Sequence, residues 1–209
     1  MVRSPWSRHE SEFPRPTDGW LASGTRVWRS TDGGRSWGVR PSFTLPLPGW
    51  NYSPSTGLQC AAPGAAWALI DSGEGAAGSH PYVLYATADG GAHWRGVLGR
   101  YGGPGVPAGP GTYPGPLSLI DPGRAFLLSP TPAAEGTGAV LISQDGRRLQ
   151  RLPDIPHTTL FDPLSVSFAS ASRGWLVGTD VAGRETVLLA TTDGGRSWHT
   201  QLRMTSPQP

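Results

Sequence analysis

Two sets of carboxylates decide what chemistry this 209-residue chain could do. Asp32, Asp89, Asp145 and Asp193 each follow a Ser or Thr by two residues, in "STDGGRSW", "TADGGAHW", "SQDGRRLQ" and "TTDGGRSW". A second set, Asp71, Glu74, Asp154, Asp162, Asp180 and Glu185, lies in Gly- and Pro-rich stretches that read as loops. Hydrolysis of a glycosidic bond needs two carboxyl groups about 5–10 Å apart, one with a raised pKa. Nothing in the sequence pairs members of the second set. The histidines His9, His80, His93, His157 and His199 stand apart from one another and from the single cysteine, Cys60. No metal-ligand spacing is present, and no disulfide can form within the chain. There is no Walker loop and no Gly-x-Ser-x-Gly elbow, and "DGG" lacks the strand-to-helix context of a phosphate cradle. Neither a metal nor a cofactor is expected.

The elements that must position these residues are short strands. Thirty Gly and 22 Pro argue against long helices, while 37% hydrophobic residues can build a core. All 17 basic residues are arginine; they are scattered and leave a formal charge of only +2, so no nucleic-acid-binding face is expected. No apolar run approaches the ~20 residues of a membrane span. The opening "MVRSPWSRHESEF" lacks the apolar core of a signal peptide.

Spacings of 57, 56 and 48 residues between the four aspartates mark a repeat of about fifty, the length of a stacked supersecondary unit. In the last unit "LSVSFA", "GWLVG", "TVLLATT" and "WHTQL" read as four strands, A to D, with the octapeptide as the C–D turn. The expectation is an all-β fold, a β-propeller of about four antiparallel four-stranded blades over 13–45, 57–99, 116–153 and 164–203. They form one domain, 13–203, between tails 1–12 and 204–209. In each corner the glycines accept positive φ, the Asp takes up nearby N–H groups, the Ser or Thr joins that network, and the Trp pins the turn. The third copy keeps Ser143 and Asp145 but has Arg147 for the second glycine and no Trp, which predicts a looser turn.

The pattern Ser/Thr-x-Asp-x-Gly-x-x-Trp is complete at Ser30/Asp32/Gly34/Trp37, Thr87/Asp89/Gly91/Trp94 and Thr191/Asp193/Gly195/Trp198. It resembles the Asp-box, or BNR, repeat. With the preceding Gly19-Trp20 and Gly174-Trp175, it is similar to propellers of the photosystem II assembly factor type, and more broadly to sialidase, glucanase and sortilin propellers. The resemblance implies that the octapeptide is a folding signature at the blade rim. It also implies an extracytoplasmic or secreted location, although no leader is visible. Four units suit a small ring, a truncated piece of a larger propeller, or an open half that self-associates. The fragment-like reading is the one expected here.

Strand order places the A–B and C–D turns at one end of each blade and the B–C loops and D-to-A connections at the other. The long segments, 71–81, 130–138 and 180–185 as B–C loops and 46–56, 99–116 and 153–163 as connections, all fall at that second end. Long loops on one face mark the binding face. Trp50, Tyr52, Tyr101, Tyr113, Asp180 and Glu185 are the candidate ligand-binding residues there. Segment 99–116 equally suits a solvated spacer by composition. The function expected is a non-catalytic scaffold for a protein or carbohydrate partner. The alternative is a sialidase- or glucanase-like hydrolase working through carboxylates of that face.

Overall fold

The computed structural model describes residues 9–43, 55–73, 79–130, 136–156, 159–160, 162–180 and 183–205, with backbone alone for 9–13. Its sixteen strands form four antiparallel sheets, each running in chain order from A to D. The first holds β1 (His9–Arg15), β2 (Asp18–Ser23), β3 (Arg26–Ser30) and β4 (Gly38–Arg40). The second holds β5 (Ser55–Ala62), β6 (Ala65–Asp71), β7 (Tyr82–Thr87) and β8 (Arg95–Arg100). The third holds β9 (Leu117–Asp121), β10 (Arg124–Pro130), β11 (Gly136–Ser143) and β12 (Leu149–Pro156). The fourth holds β13 (Asp162–Phe168), β14 (Gly174–Thr179), β15 (Glu185–Thr191) and β16 (His199–Thr205). The A strands touch in series, β1 to β5, β5 to β9 and β9 to β13, so they line the axis of a propeller of about four blades. No comparable contact joins β13 to β1 among the described residues.

Burial explains why these strands stack. Trp20, Ala22 and Val27 of the first blade close against Leu58, Ala66, Ala68 and Ile70 of the second. Trp67, Leu69, Leu84 and Leu98 then close against Ala125, Leu127, Val140 and Ile142 of the third. Phe126, Leu128 and Leu152 close in turn against Val166, Leu176, Val187 and Leu189 of the fourth. Each large side chain so buried contributes about 1.5–3 kcal/mol, which makes the spaces between blades the source of cohesion. Strand β6 is therefore written as an apolar run from Ala65 to Ile70, ahead of its terminal Asp71, because both its faces are covered.

Polar side chains stitch neighbouring blades together as well. The Gln59 amide on β5 bonds the backbone of β9 twice, donating to the Leu117 carbonyl (2.7 Å) and accepting from the Leu119 N–H (3.1 Å). The Phe168 N–H on β13 donates to Ser118 Oγ on β9 (3.1 Å). Thr56 Oγ1 donates to the Gly24 carbonyl of the first blade. A side chain that borrows the next strand's backbone groups keeps them satisfied where the two A strands do not form a ladder.

Several boundaries move relative to expectation. β1 starts at His9, inside the stretch read as a tail, and β16 runs to Thr205, past residue 203. Segments read as loops are partly strand at their ends, most of all where 136–138 open β11, 153–156 close β12 and 162–163 open β13. Their prolines concealed this, yet Pro153, Pro156 and Pro163 lie on A or D strands, where one side makes no ladder and a missing N–H costs little. Segment 99–116 is also no spacer. It folds back through Gly99 N–H to Pro107 O (2.9 Å) and Gly109 N–H to Gly99 O (3.1 Å), and buries Tyr82 beneath it.

Candidate functional site

The recurrent aspartates sit at the C–D corners, and each serves its own turn. Ser30 Oγ accepts the Gly34 N–H (2.8 Å) and donates to Asp32 Oδ1 (2.8 Å). The Asp32 carboxylate in turn accepts the Ser36 N–H (2.9 Å) and hydroxyl (2.6 Å). The fourth corner repeats this bond for bond through Thr191, Asp193, Gly195 and Ser197. In the second, His93 replaces the serine, with Nδ1 2.7 Å from Asp89 Oδ2. Paired glycines carry each of these turns at positive φ, as at Gly194 (76°) and Gly195 (84°).

One corner tryptophan departs from expectation. Trp37 donates its Nε1–H to the Gly34 carbonyl of its own turn (3.1 Å), but the ring is 36% exposed and does not pin the first corner as a buried plate. Its place in the array is the reason. Trp94 and Trp198 are partly buried because each lies against an aromatic ring of the preceding blade, Trp20 and Phe126 respectively. Trp37 belongs to the first blade, which no described blade precedes.

The corner bonds settle what the four carboxylates can do. The Ser36 hydroxyl and N–H, with Ser30, hold Asp32 down at about 2, and the Ser197 groups do the same for Asp193. The His93 N–H and ring lower Asp89 further, and the Ser143 hydroxyl lowers Asp145. A carboxylate saturated by donors and held ionised is a poor general acid. The third corner is rewired: Arg147 N–H reaches Asp145 Oδ1 (3.0 Å) and Arg148 N–H reaches Ser143 Oγ (3.0 Å). Its turn is also shorter, with strand D beginning at Leu149 after Ser143, where the first blade runs from Ser30 to Gly38.

One further bond fixes the orientation of the blades. A corner N–H donates to an A–B turn carbonyl in every sheet: Gly33 to Thr17 (3.1 Å), Gly90 to Gly64 (2.9 Å), Gln144 to Gly123 (2.8 Å) and Gly194 to Ser172 (2.9 Å). Corners and A–B turns thus share one end of the molecule, and the remaining loops share the other. An open groove of about 540 Å³ also lies at the corner end, between Asp89, His93 and Arg95 of the second blade and Asp145 of the third. Its acids are the ones already occupied by their own turns.

At the loop end the second and third blades meet in a polar cluster. His80 N–H donates to the Thr112 carbonyl (2.8 Å), and its ring lies against that of Tyr113 with centroids 4.6 Å apart. His80 Nδ1 stands 3.6 Å from Oδ1 of the buried Asp71, which also accepts the Gly73 N–H (3.0 Å). Asp71 Oδ2 is buried with no hydrogen-bond partner among the described residues. Beneath them Tyr82 donates to Ser129 Oγ (3.0 Å), whose own proton goes to the Tyr113 carbonyl. Sequence reasoning named Tyr113 and missed His80, whose isolation in the chain hid its neighbours in space.

The other expected residues are dispersed. Tyr101 is half exposed, and the Arg100 guanidinium lies 5.1 Å from its ring centroid. Its φ of 63° makes it the one non-glycine residue at positive φ among those described. Asp180 Oδ1 accepts the Arg184 and Glu185 N–H groups (2.8 and 3.1 Å) and so closes the fourth B–C loop. Glu185 pairs with Arg203 at 3.2 Å. Asp154 is exposed on β12, and Asp162 is half-buried at the start of β13, where burial raises its pKa. Trp50, Tyr52 and Glu74 lie outside the described residues. Among the described residues no three His, Cys, Asp or Glu side chains gather as a metal site. Among the described residues no helix is long and apolar enough to cross a membrane.

No protein-family model matches the chain, and no curated protein matches it. Solved structures do. An oligogalacturonate lyase in complex with manganese superposes with a TM-score of 0.58 at 9% identity, covering 91% of this chain and 51% of its own. An ancestral GH74 enzyme gives 0.56 at 15% identity, with 98% of this chain and 25% of its own covered. The NanB sialidase from Streptococcus pneumoniae gives 0.40 at 15% identity, with 88% and 27% covered. The chain spans about half the length of the lyase and a quarter of the GH74 enzyme. At such identities the likeness shows the fold, an all-β propeller array, and nothing of the activity.

Proposed function

We propose that the chain is a non-catalytic binding module that engages a protein or carbohydrate partner through the loop end of its blades, in an extracytoplasmic setting. The observation that carries this reading is Tyr101. A bulky residue held at positive φ is strained by about 1–3 kcal/mol, a cost retained where the side chain's direction matters. The strain holds a half-exposed ring beside a guanidinium, a surface suited to stacking against a sugar or an apolar side chain. His80 and Tyr113 add a second aromatic pair at the same end.

The carboxylates support the same reading. Asp180 closes its own loop, Glu185 is paired with Arg203, and Asp71 is buried. Glycan microarrays and pull-downs from envelope extract, each run beside a hydrolysis screen, test the proposal. Tyr101→Ala is expected to weaken the captured interaction at least tenfold with unchanged melting temperature. Hydrolysis by the wild type would overturn it.

The hydrolase alternative rests on Asp162, whose raised pKa is the property a general acid needs. Any hydrolysis abolished by Asp162→Asn would establish it in place of the binding module.

A further inference from the structure

The outward face of the fourth blade is built as a covered face. Strand register makes Trp175, Val177, Leu188 and Leu202 neighbours across β14, β15 and β16, through Val177↔Leu188 and Leu188↔Leu202, with Trp175 opposite Ala190. The same register in the second blade joins Trp67 (opposite Ala86), Leu69, Leu84 and Leu98. Those four are 0% exposed, because the third blade lies on them. In the fourth blade Trp175 is 39%, Leu202 46% and Met204 50% exposed. The sequence of β14 to β16 is thus written for two buried faces, and the described residues cover only one.

The complementary surface is present on the same chain. On the first blade Trp20, Ala22 and Val27 point into the second. Their alternates Leu21, Trp28 and Val39 form a stripe across the opposite face, paired Leu21↔Trp28 and Trp28↔Val39, with Val39 68% exposed. In every boundary inside the chain the leading face of one blade receives the trailing face of the next. The fourth blade ends on a leading face and the first begins with a trailing one.

We propose that two copies of this chain associate head to tail, the fourth blade of each packing on the first blade of the other. Both contacts continue the interface that the chain forms three times within itself. Two arrays of four blades close a ring of eight, within the four to eight typical of propellers. The contact is heterologous, and two copies complete it with no open end. It does not depend on which ligand the loop end binds.

Light scattering coupled to size exclusion, at micromolar concentration, tests this directly. The expected mass is twice the 22.0 kDa monomer. Leu202→Arg and Val39→Asp each place a charge on an exposed outer strand, and each is expected to yield monomer with an unchanged β circular-dichroism spectrum. Should Leu202→Arg misfold, Met204→Arg replaces it. An equimolar mixture of Leu202→Arg and Val39→Asp retains one unaltered contact and opposes Arg to Asp in the other, so the double mass returns. A monomeric wild type overturns the proposal. So does a dimer broken by Leu202→Arg but indifferent to Val39→Asp, which would mean like faces meeting.

Discussion

Trp94 and Trp20 meet edge to face across the boundary between the first two blades, with ring centroids 6.0 Å apart and planes at 79°. Phe43 closes the third side at 5.0 Å from Trp94. Trp198 repeats the contact one boundary further on, against Phe126 at 6.0 Å. The corner tryptophan is thus a tie between blades, beyond any service to its own turn. Removing a packed aromatic ring leaves a cavity and forfeits its transfer energy. Trp94→Ala is expected to lower unfolding stability by about 3 kcal/mol in a denaturant titration. A loss under about 1 kcal/mol would place the tie elsewhere.

The second corner glycine has two reasons to be glycine, and they are separable. Gly91 stands at φ 78°, and a Cβ there would come 3.0 Å from the Trp20 ring. Gly105 has nearly the same φ, 80°, with nothing within 4 Å. Gly105→Ala should cost only the left-handed strain, about 1 kcal/mol, whereas Gly91→Ala also displaces Trp20 and should cost at least twice that. Equal melting temperatures for the two variants would refute the close-approach argument.

The blades were legible in the chain because their corners are local. Ser or Thr, Asp, two glycines and Trp lie within eight residues, and the side-chain bonds that hold the Asp and the Ser or Thr run within that stretch. The ties between blades were not legible. Trp37 and Trp94 are written in the same motif, yet Trp94 is partly buried against Trp20 of the neighbouring blade while Trp37 is 36% exposed, and no residue near either one says so. Gln59 meets β9 some sixty residues away, and its type carries no periodic signal. Prolines hid the ends of β12 and β13, since their usual meaning fails on a strand with one neighbour. At the loop end Tyr113 was readable as an exposed-loop aromatic, while His80 and Asp71 acquire meaning only once the 99–116 segment folds back over them.

Acid should loosen the corners in a defined window. Asp32 and Asp193 are held at about 2, below the 3.8 of a free aspartate, by serine and threonine hydroxyls and backbone N–H groups. A pKa depressed in the folded state gives stability that is present above pH 3.8 and lost as pH falls through about 2. Amide protection at Ser36 and Ser197, taken against the exchange rate of an unfolded peptide at the same pH, should therefore fall between pH 4 and pH 2, and Asp193→Asn should remove the effect at its own corner alone. A protection factor constant across that range would contradict the assigned bonds.

Tyr82 gives the alkaline counterpart. Burial pushes its hydroxyl up to about 12, although the Ser129 bond opposes the rise. A pKa raised in the folded state gives stability that is complete below pH 10 and lost as pH climbs through about 12. Tyr82→Phe removes the titration and the bond to Ser129, at an expected cost near 1 kcal/mol at neutral pH. The variant's stability should then depend less on pH above 10 than the wild type's, as followed by circular dichroism.

Asp18 offers the sharpest test of how the first two blades are held. Its carboxylate takes Arg29 in two bonds, Nε at 2.8 Å and Nη2 at 3.1 Å, and accepts the Gly64 N–H from the next blade at 3.2 Å. Arg29 is fixed in turn by the Trp20 face, 5.2 Å beneath it, and fills the space that a side chain at Gly90 would need. Asp18→Ala strands a largely buried guanidinium and an N–H together, and should cost about 3 kcal/mol. Removing Arg29 as well relieves part of that penalty, so the double variant should be less unstable than the sum of the two single ones by about 1 kcal/mol or more. Additive costs in that cycle would mean that Asp18 and Arg29 act separately, and the latch between the blades would have to be sought in apolar packing and the Thr56–Gly24 bond.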